Sequence, residues 1–182
     1  MANKETKDTK MQNRYRTSHL SEDEKDLAVT LYEIGINFDR CTPSEAVDWH
    51  REVAEKGWAP AQYSLACCYA NGNGVQKDMT EAAKWFNKAA KQGHPEAQYK
   101  LGICYCTGDG VQKNIKEGIK WYRKSAAQGE NHAQFNLGCY YEDGEGVKKD
   151  KLKAAKCFYK SAKQGNVDAK HALRRVLDND DE

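Results

Sequence analysis

Apolar residues return along this chain with two superposed rhythms, a helical one inside short segments and a longer one that restarts every 36 residues. Within AQYSLACCYANG, Ala61, Leu65 and Tyr69 fall at i, i+4 and i+8, the spacing that gathers side chains on one face of an α-helix. The same stripe reappears as Ala97, Leu101 and Tyr105, and again as Ala133, Leu137 and Tyr141. A second segment carries Trp85 with Ala82 and Ala89, which predicts a partner helix with a facing apolar stripe. Small residues at Ala66, Gly102 and Gly138 let that partner approach closely, so each unit is expected to close as an antiparallel helical hairpin.

The longer rhythm is strict. Gly57, Gly93, Gly129 and Gly165 stand 36 residues apart, as do Trp49, Trp85 and Trp121, and Ala61, Ala97, Ala133 and Ala169. A period of roughly 20–50 residues is the mark of a solenoid, whose hairpins cannot bury their apolar faces alone and must stack on their neighbours. Thr42, Asp78, Asn114 and Asp150 recur in register, and all four are residue types that cap helix N-termini. Three are followed by Glu45, Glu81 and Glu117 in a capping-box pattern, and Pro43 suits the first helical position. The clearest second helix should run from Asp78 to Gln92 and stop at Gly93. Between the helices lie GNGVQKD, GDGVQKN and GEGVKKD. No strand is expected before them and no Lys-Ser or Lys-Thr follows, so they read as helix termination plus a tight turn rather than as phosphate loops. Val75, Val111 and Val147 should fill the gap between the helices.

The line A-Q-Y-x-L-G-x-x-Y-x-x-G-x-G-V, followed by A-x-x-W-Y/F-x-x-A-A-x-Q-G, resembles the Sel1-like repeat, a relative of the tetratricopeptide repeat with a longer inter-helix loop. Three copies fit closely at 61–96, 97–132 and 133–168. Residues 21–60 read as a degenerate N-terminal repeat whose first half is LAVTLYEIGINFDRC, and 169–182 as a C-terminal capping helix with an acidic tail. The resemblance implies an all-α, right-handed α-solenoid of antiparallel helix pairs, serving as a scaffold or adaptor. It carries no catalytic motif, because the family's pattern residues are packing residues. Some cysteine-rich relatives are described as binding or hydrolysing penicillin derivatives, but the cysteine pattern here departs from theirs and that activity is not carried over.

Composition narrows the picture further. Of 182 residues 39% are hydrophobic, and the mean hydropathy of −0.95 suits a thin stack of helix pairs better than a sphere. A formal charge of +2 supplies no global field toward nucleic acid or an anionic membrane. Residues 1–20 form a polar arm, expected to be disordered and solvated despite Lys4, Lys7, Lys10, Arg14 and Arg16. The arm lacks the apolar run of a signal peptide, and no later stretch approaches a membrane span, which points to the cytoplasm.

Candidate chemistry is sparse. On the face of the first helices opposite the Leu65 stripe lie Tyr63, Cys67 and Asn71, then Tyr99, Ile103, Cys106 and Thr107, then Phe135, Cys139, Glu142 and Asp143. In tetratricopeptide-type stacks this face lines the concave groove, and aromatics followed by acids would suit a peptide with an apolar anchor and a basic group. The competing expectation is that Tyr63, Tyr99 and Phe135 pack between neighbouring first helices. A ladder of Lys84, Lys88 and Lys91, repeated as Lys120 and Lys124 and as Lys156, Lys160 and Lys163, should lie away from Trp85 as a solvated ridge. No aromatics interleave with it as single-strand binding would want. Seven cysteines, an odd number, argue against a disulfide framework. Cys104 and Cys106 on one helix point about 200° apart, poor geometry for one metal ion. Cys157 takes the tryptophan position of its repeat, which favours simple burial. Neither a metal nor a cofactor is expected. His19, His50, His94, His132 and His171 are scattered, and no repeat supplies a nucleophile beside a base. The leading expectation is a non-enzymatic scaffold or adaptor holding a protein or peptide partner in the groove, with no nucleic acid and no membrane. The alternatives are a homo-oligomer stacked end to end and a thiol-dependent hydrolase using Cys106 or Cys139.

Overall fold

The structure is a computed structural model and describes residues 42–178. The expected N-terminal arm, the first half of the degenerate repeat with Cys41, and the tail at 179–182 lie outside the described residues. Among the described residues there are eight helices and no strand: α1 (Pro43–Glu55), α2 (Ala59–Asn71), α3 (Met79–Lys91), α4 (Pro95–Thr107), α5 (Ile115–Ala127), α6 (Asn131–Asp143), α7 (Lys151–Lys163) and α8 (Val167–Asp178). They form two compact units divided between His94 and Pro95, the first holding α1–α3 and the second α4–α8. Within each unit consecutive helices pack against one another as the hairpin pattern requires.

The second helices begin where the caps put them. Asp78 accepts from the amides of Thr80 and Glu81, Asn114 from Glu117 and Asp150 from Lys153. Only Thr42 completes the reciprocal box, its own amide donating to Glu45 at 2.8 Å. Glu81 and Glu117 turn instead to Lys84 and Lys120, at 2.6 and 2.7 Å, because a lysine one turn on offers a charged partner. The first helices start two residues ahead of the apolar stripe, at Ala59, Pro95, Asn131 and Val167. A stripe reports burial, whereas the start is set by the backbone, with Pro60 in the first turn of α2, Pro95 opening α4, and Glu130 accepting from the Ala133 amide at α6.

Gly57, Gly93, Gly129 and Gly165 all lie in the left-handed region, with φ from 93° to 98°. A Cβ at any of them would meet nothing within 4 Å, so glycine is required there by backbone conformation alone. The inter-helix loops close through amide bonds from Asp78 to the Tyr69 carbonyl (2.9 Å), Asn114 to Tyr105 (2.7 Å) and Asp150 to Tyr141 (2.8 Å). Val147 packs against the core of the second unit, as expected of a residue filling the loop gap.

The core differs from expectation in one respect. Trp85 and Trp121 are buried, yet the residues after them sit deeper, Phe86 and Tyr122 at 2% exposed, and Phe158 after Cys157 in the same register is 0% exposed. In the second unit a Cβ on Gly102 would lie 2.7 Å from the Tyr122 ring, and one on Gly138 would lie 2.5 Å from the Phe158 ring. The glycines therefore admit an aromatic ring. The lysines do not all turn away from tryptophan either. Lys88 Nζ lies 3.5 Å from the Trp85 ring centroid and Lys124 Nζ 4.1 Å from that of Trp121, since a residue at i+3 shares the tryptophan's side of the helix.

Gly129→Ala should cost about 1–2 kcal/mol in urea unfolding, from left-handed strain without steric conflict, while Gly129→Asn should cost less. An unchanged midpoint for the alanine variant would contradict this account of the inter-repeat glycine.

Candidate functional site

The expected binding face divides into an inner part that packs and an outer part that stays open. In the first unit, the half-buried Tyr63 ring stacks on His94 at 4.7 Å and 21° and lies 5.9 Å from the Phe86 ring. Cys67 is half-buried, and Asn71 is exposed at the end of α2.

In the second unit the Tyr99 ring lies 6.0 Å from Tyr122 and 5.7 Å from His132. Asn136 hydrogen-bonds the hydroxyls of both Tyr99 and Tyr122. Tyr140 stacks on Tyr122 at 5.9 Å and hydrogen-bonds Cys106, so a polar cluster joins α4, α5 and α6. Burial pushes the phenols of Tyr99, Tyr122 and Tyr140 upward, keeping them neutral donors. Ile103 packs against the surrounding apolar core. Thr107 is exposed, its hydroxyl 3.1 Å from the Ile103 carbonyl and 2.8 Å from the Asp109 carboxylate. The Phe135 ring lies 5.7 Å from Phe158, and both Phe135 and Cys139 pack against the core cluster of Ala154, Phe158, Ala172 and Val176. Asp143 is exposed.

The acidic end is less open than its sequence suggests. Glu142 accepts two hydrogen bonds from Arg175 of α8, from Nε at 3.1 Å and Nη2 at 2.7 Å, the bidentate pairing that suits guanidinium and carboxylate. A signal existed: Arg175 stands 36 residues after Cys139, at the same register of the same helix face.

Sequence reasoning also missed a set of buried glutamines. Gln62, Gln98 and Gln134 are only 4–5% exposed. Each Oε1 accepts from the glutamine that ends the second helix: Gln92 at 2.7 Å, Gln128 at 2.8 Å and Gln164 at 2.9 Å. Gln62 Nε2 also donates to the Ala54 carbonyl, and Gln134 Nε2 to that of Ala126, tying each first helix to the end of the helix before it. A buried amide so satisfied costs little, while an unpaired one would be expensive. Their signal was recurrence every 36 residues, which the apolar periodicity passes over.

Four of the thiols are held protonated by their surroundings. Burial, then Glu142 and Asp143, push Cys139 up to about 11. Burial, then Asp109, push Cys104 up to about 11 as well. Cys68 and Cys157 are raised chiefly by burial, and Cys157 is half-buried at the tryptophan position. The six described cysteines are free, and no group of three potential metal ligands occurs among the described residues.

Iodoacetamide labelling of Cys139 should therefore be slow near neutral pH and climb through pH 9 toward 11, since the raised pKa holds the thiol protonated below that range. Removing the negative charges with Glu142→Gln and Asp143→Asn should move the profile to lower pH. A fast neutral-pH reaction at Cys139 would revive the thiol-hydrolase alternative.

A family model described as Sel1 repeat matches the chain in three contiguous copies, at 59–94, 95–130 and 131–166. Each copy opens on the first residue of a first helix, two residues before the sequence repeats at 61–96, 97–132 and 133–168. A Sel1 repeat protein from Oxalobacter formigenes is 36% identical with a TM-score of 0.76, over 85% of this chain and 63% of that one. The protein c5321, a protective antigen present in uropathogenic Escherichia coli strains displaying an SLR fold, is 33% identical with a TM-score of 0.76, over 82% of this chain and 33% of that one. The chain thus spans less than two thirds of either. Cysteine rich protein B of Helicobacter pylori, 20% identical with a TM-score of 0.60 over 73% of this chain and 98% of that one, shares the fold alone. No functionally curated protein matches the chain. Since the three copies cover more than half of the sequence and each coincides with a helical hairpin, the chain belongs to the Sel1 repeat family, all-α solenoid repeats that generally mediate protein–protein interaction.

Proposed function

We propose that the chain is a non-enzymatic interaction scaffold or adaptor that holds a peptide or protein segment on the faces of its first helices. One observation carries this reading: on the first helices, the alanine, glutamine and leucine positions that stay identical from repeat to repeat are buried packing positions, while positions on the proposed face change chemistry and stay at least partly exposed toward the helix ends. Ala61, Ala97 and Ala133 are 0–1% exposed, as are Leu65 and Leu101. By contrast Cys67, Ile103 and Cys139 occupy one register, and Asn71, Thr107 and Asp143 another, the latter three exposed. Repetition builds the support, and variation on an accessible face is what selects a partner. Half-exposed Tyr63, Tyr99 and Phe135 would border the contact, where rigid aromatics add area at little entropic cost. Free thiols and the want of any helix long and apolar enough to cross a membrane, among the described residues, favour a cytoplasmic setting for this role.

A second reading, self-association, has its own support. The large hydrophobic residues most exposed among the described ones, Leu152, Tyr159, Val167 and Leu177, all belong to α7 and α8, at 54–65% exposure. A monomer mass independent of concentration would remove it.

Photo-crosslinking tests the scaffold. A photoreactive phenylalanine analogue in place of Asn71, Thr107 or Asp143 should yield an adduct with the same polypeptide from a cytosolic lysate. The analogue in place of the exposed second-helix residues Lys91 or Lys163 should not. Adducts of equal yield from both sets would move the contact off the first-helix face.

A further inference from the structure

One lysine of the solvated ridge, Lys120, joins basic residues outside the ridge around a cleft. In the second unit α5 and the loop between α6 and α7 border an open cleft of about 400 Å³. Lys116, Lys120 and Arg123 come from α5, Lys148 from the loop and Lys153 from α7, against one lining carboxylate, Asp150. Its apolar surface is Ile119, Val147 and Tyr141. The loop is held tightly on the helix: Gly146 has φ 70°, and a Cβ there would lie 2.7 Å from Ile115 and 3.0 Å from Ile119 side-chain atoms.

The charges are unequal in their freedom. Lys120 pairs with Glu117 at 2.7 Å, Lys153 with Asp150 at 2.8 Å, and Arg123 donates to the Tyr141 hydroxyl at 3.2 Å. Lys116 and Lys148 are exposed and enter no ion pair among the described residues. Apart from Lys120, which recurs as Lys84 and Lys156, this charge is not part of the repeat. At the registers of Lys116 and Arg123 the preceding repeat has Thr80 and Asn87, and the following one has Leu152 and Tyr159. A feature confined to one repeat is not needed to build the hairpin.

We propose that this cleft docks an acidic peptide segment carrying one aliphatic side chain. Its carboxylates meet Lys116, Lys148 and Lys120 at the rim, and the aliphatic group rests on Val147. Charge complementarity favours an anion, and the apolar floor favours a peptide over an inorganic one. A single-stranded nucleic acid would want an open aromatic face, but the Tyr141 ring is flanked by Arg123 at 5.8 Å and Lys153 at 5.5 Å. This surface is distinct from Asn71, Thr107 and Asp143, so either proposal can fail without the other.

The test is fluorescence anisotropy with the full chain at physiological salt, using a fluorescein-labelled glutamate-rich peptide with one central leucine. Combining Lys116→Glu with Lys148→Glu should weaken binding about tenfold or more, while the equal charge change of Lys91→Glu with Lys163→Glu should change it less than about twofold. Replacing the probe's leucine by glycine should also weaken it. No binding by the unmodified chain, equal losses in the two charge variants, or indifference to the leucine would each overturn the proposal. Tighter binding of a single-stranded oligonucleotide through the same lysines would overturn it in favour of a nucleic acid.

Discussion

An aromatic ring seated where the opposing helix has no side chain sets the geometry of each hairpin in the second unit. Tyr122 lies against Gly102 and Phe158 against Gly138, so closely that one added carbon would collide with the ring. The same rings receive Tyr99 and Phe135 from the first helices, at 6.0 and 5.7 Å. The first unit places Phe86 at the equivalent register, with fully buried Ala66 where the glycines stand. How far the second helix sinks toward the first, and therefore which first-helix residues remain in reach of a partner, follows from this contact. Close packing leaves no slack to absorb an error there.

Upon that contact the buried glutamines add registration rather than bulk. A Gln–Gln bond joins the two helices of each hairpin, and the remaining donors of Gln62 and Gln134 reach the carbonyl at the end of the previous helix. Such bonds contribute modestly to stability when made and are costly when half-made, so they penalise a slipped stack. The architecture thus separates two tasks. Buried residues common to the repeats hold the hairpins, and exposed residues peculiar to one repeat, such as Asp143, Lys116 and Arg123, would supply the chemistry that a partner reads.

Much of the fold was legible because its signals are local and repeated. Cap residues announced the second helices, left-handed glycines ended them, and the Ala–Leu–Tyr stripe marked the first helices, all without knowledge of tertiary contacts. What escaped depended on partners distant in sequence. Nothing local distinguishes Trp85 from Phe86 as the deeper residue, because both lie on the apolar arc of α3. The choice is made by the small residue on the facing helix. Glu81 and Glu117 fit a capping box equally well on paper, but Lys84 and Lys120 compete for them. Glu142 looked available until α8 brought Arg175 across. The basic cleft joins α5 to a loop from the next repeat, so a reading of each helix face by itself could see only its lysines.

The central claim, that a ring against a glycine governs the hairpin, is tested most directly by a double-mutant cycle on Gly138 and Phe158 in urea unfolding. Gly138→Ala alone should destabilise the protein by about 1–3 kcal/mol through overpacking. In a Phe158→Leu background, where the ring is gone, the same change should become neutral or stabilise by up to about 1 kcal/mol from the helix preference of alanine over glycine. An equal cost of Gly138→Ala in both backgrounds would contradict the account, because the two positions would then act independently.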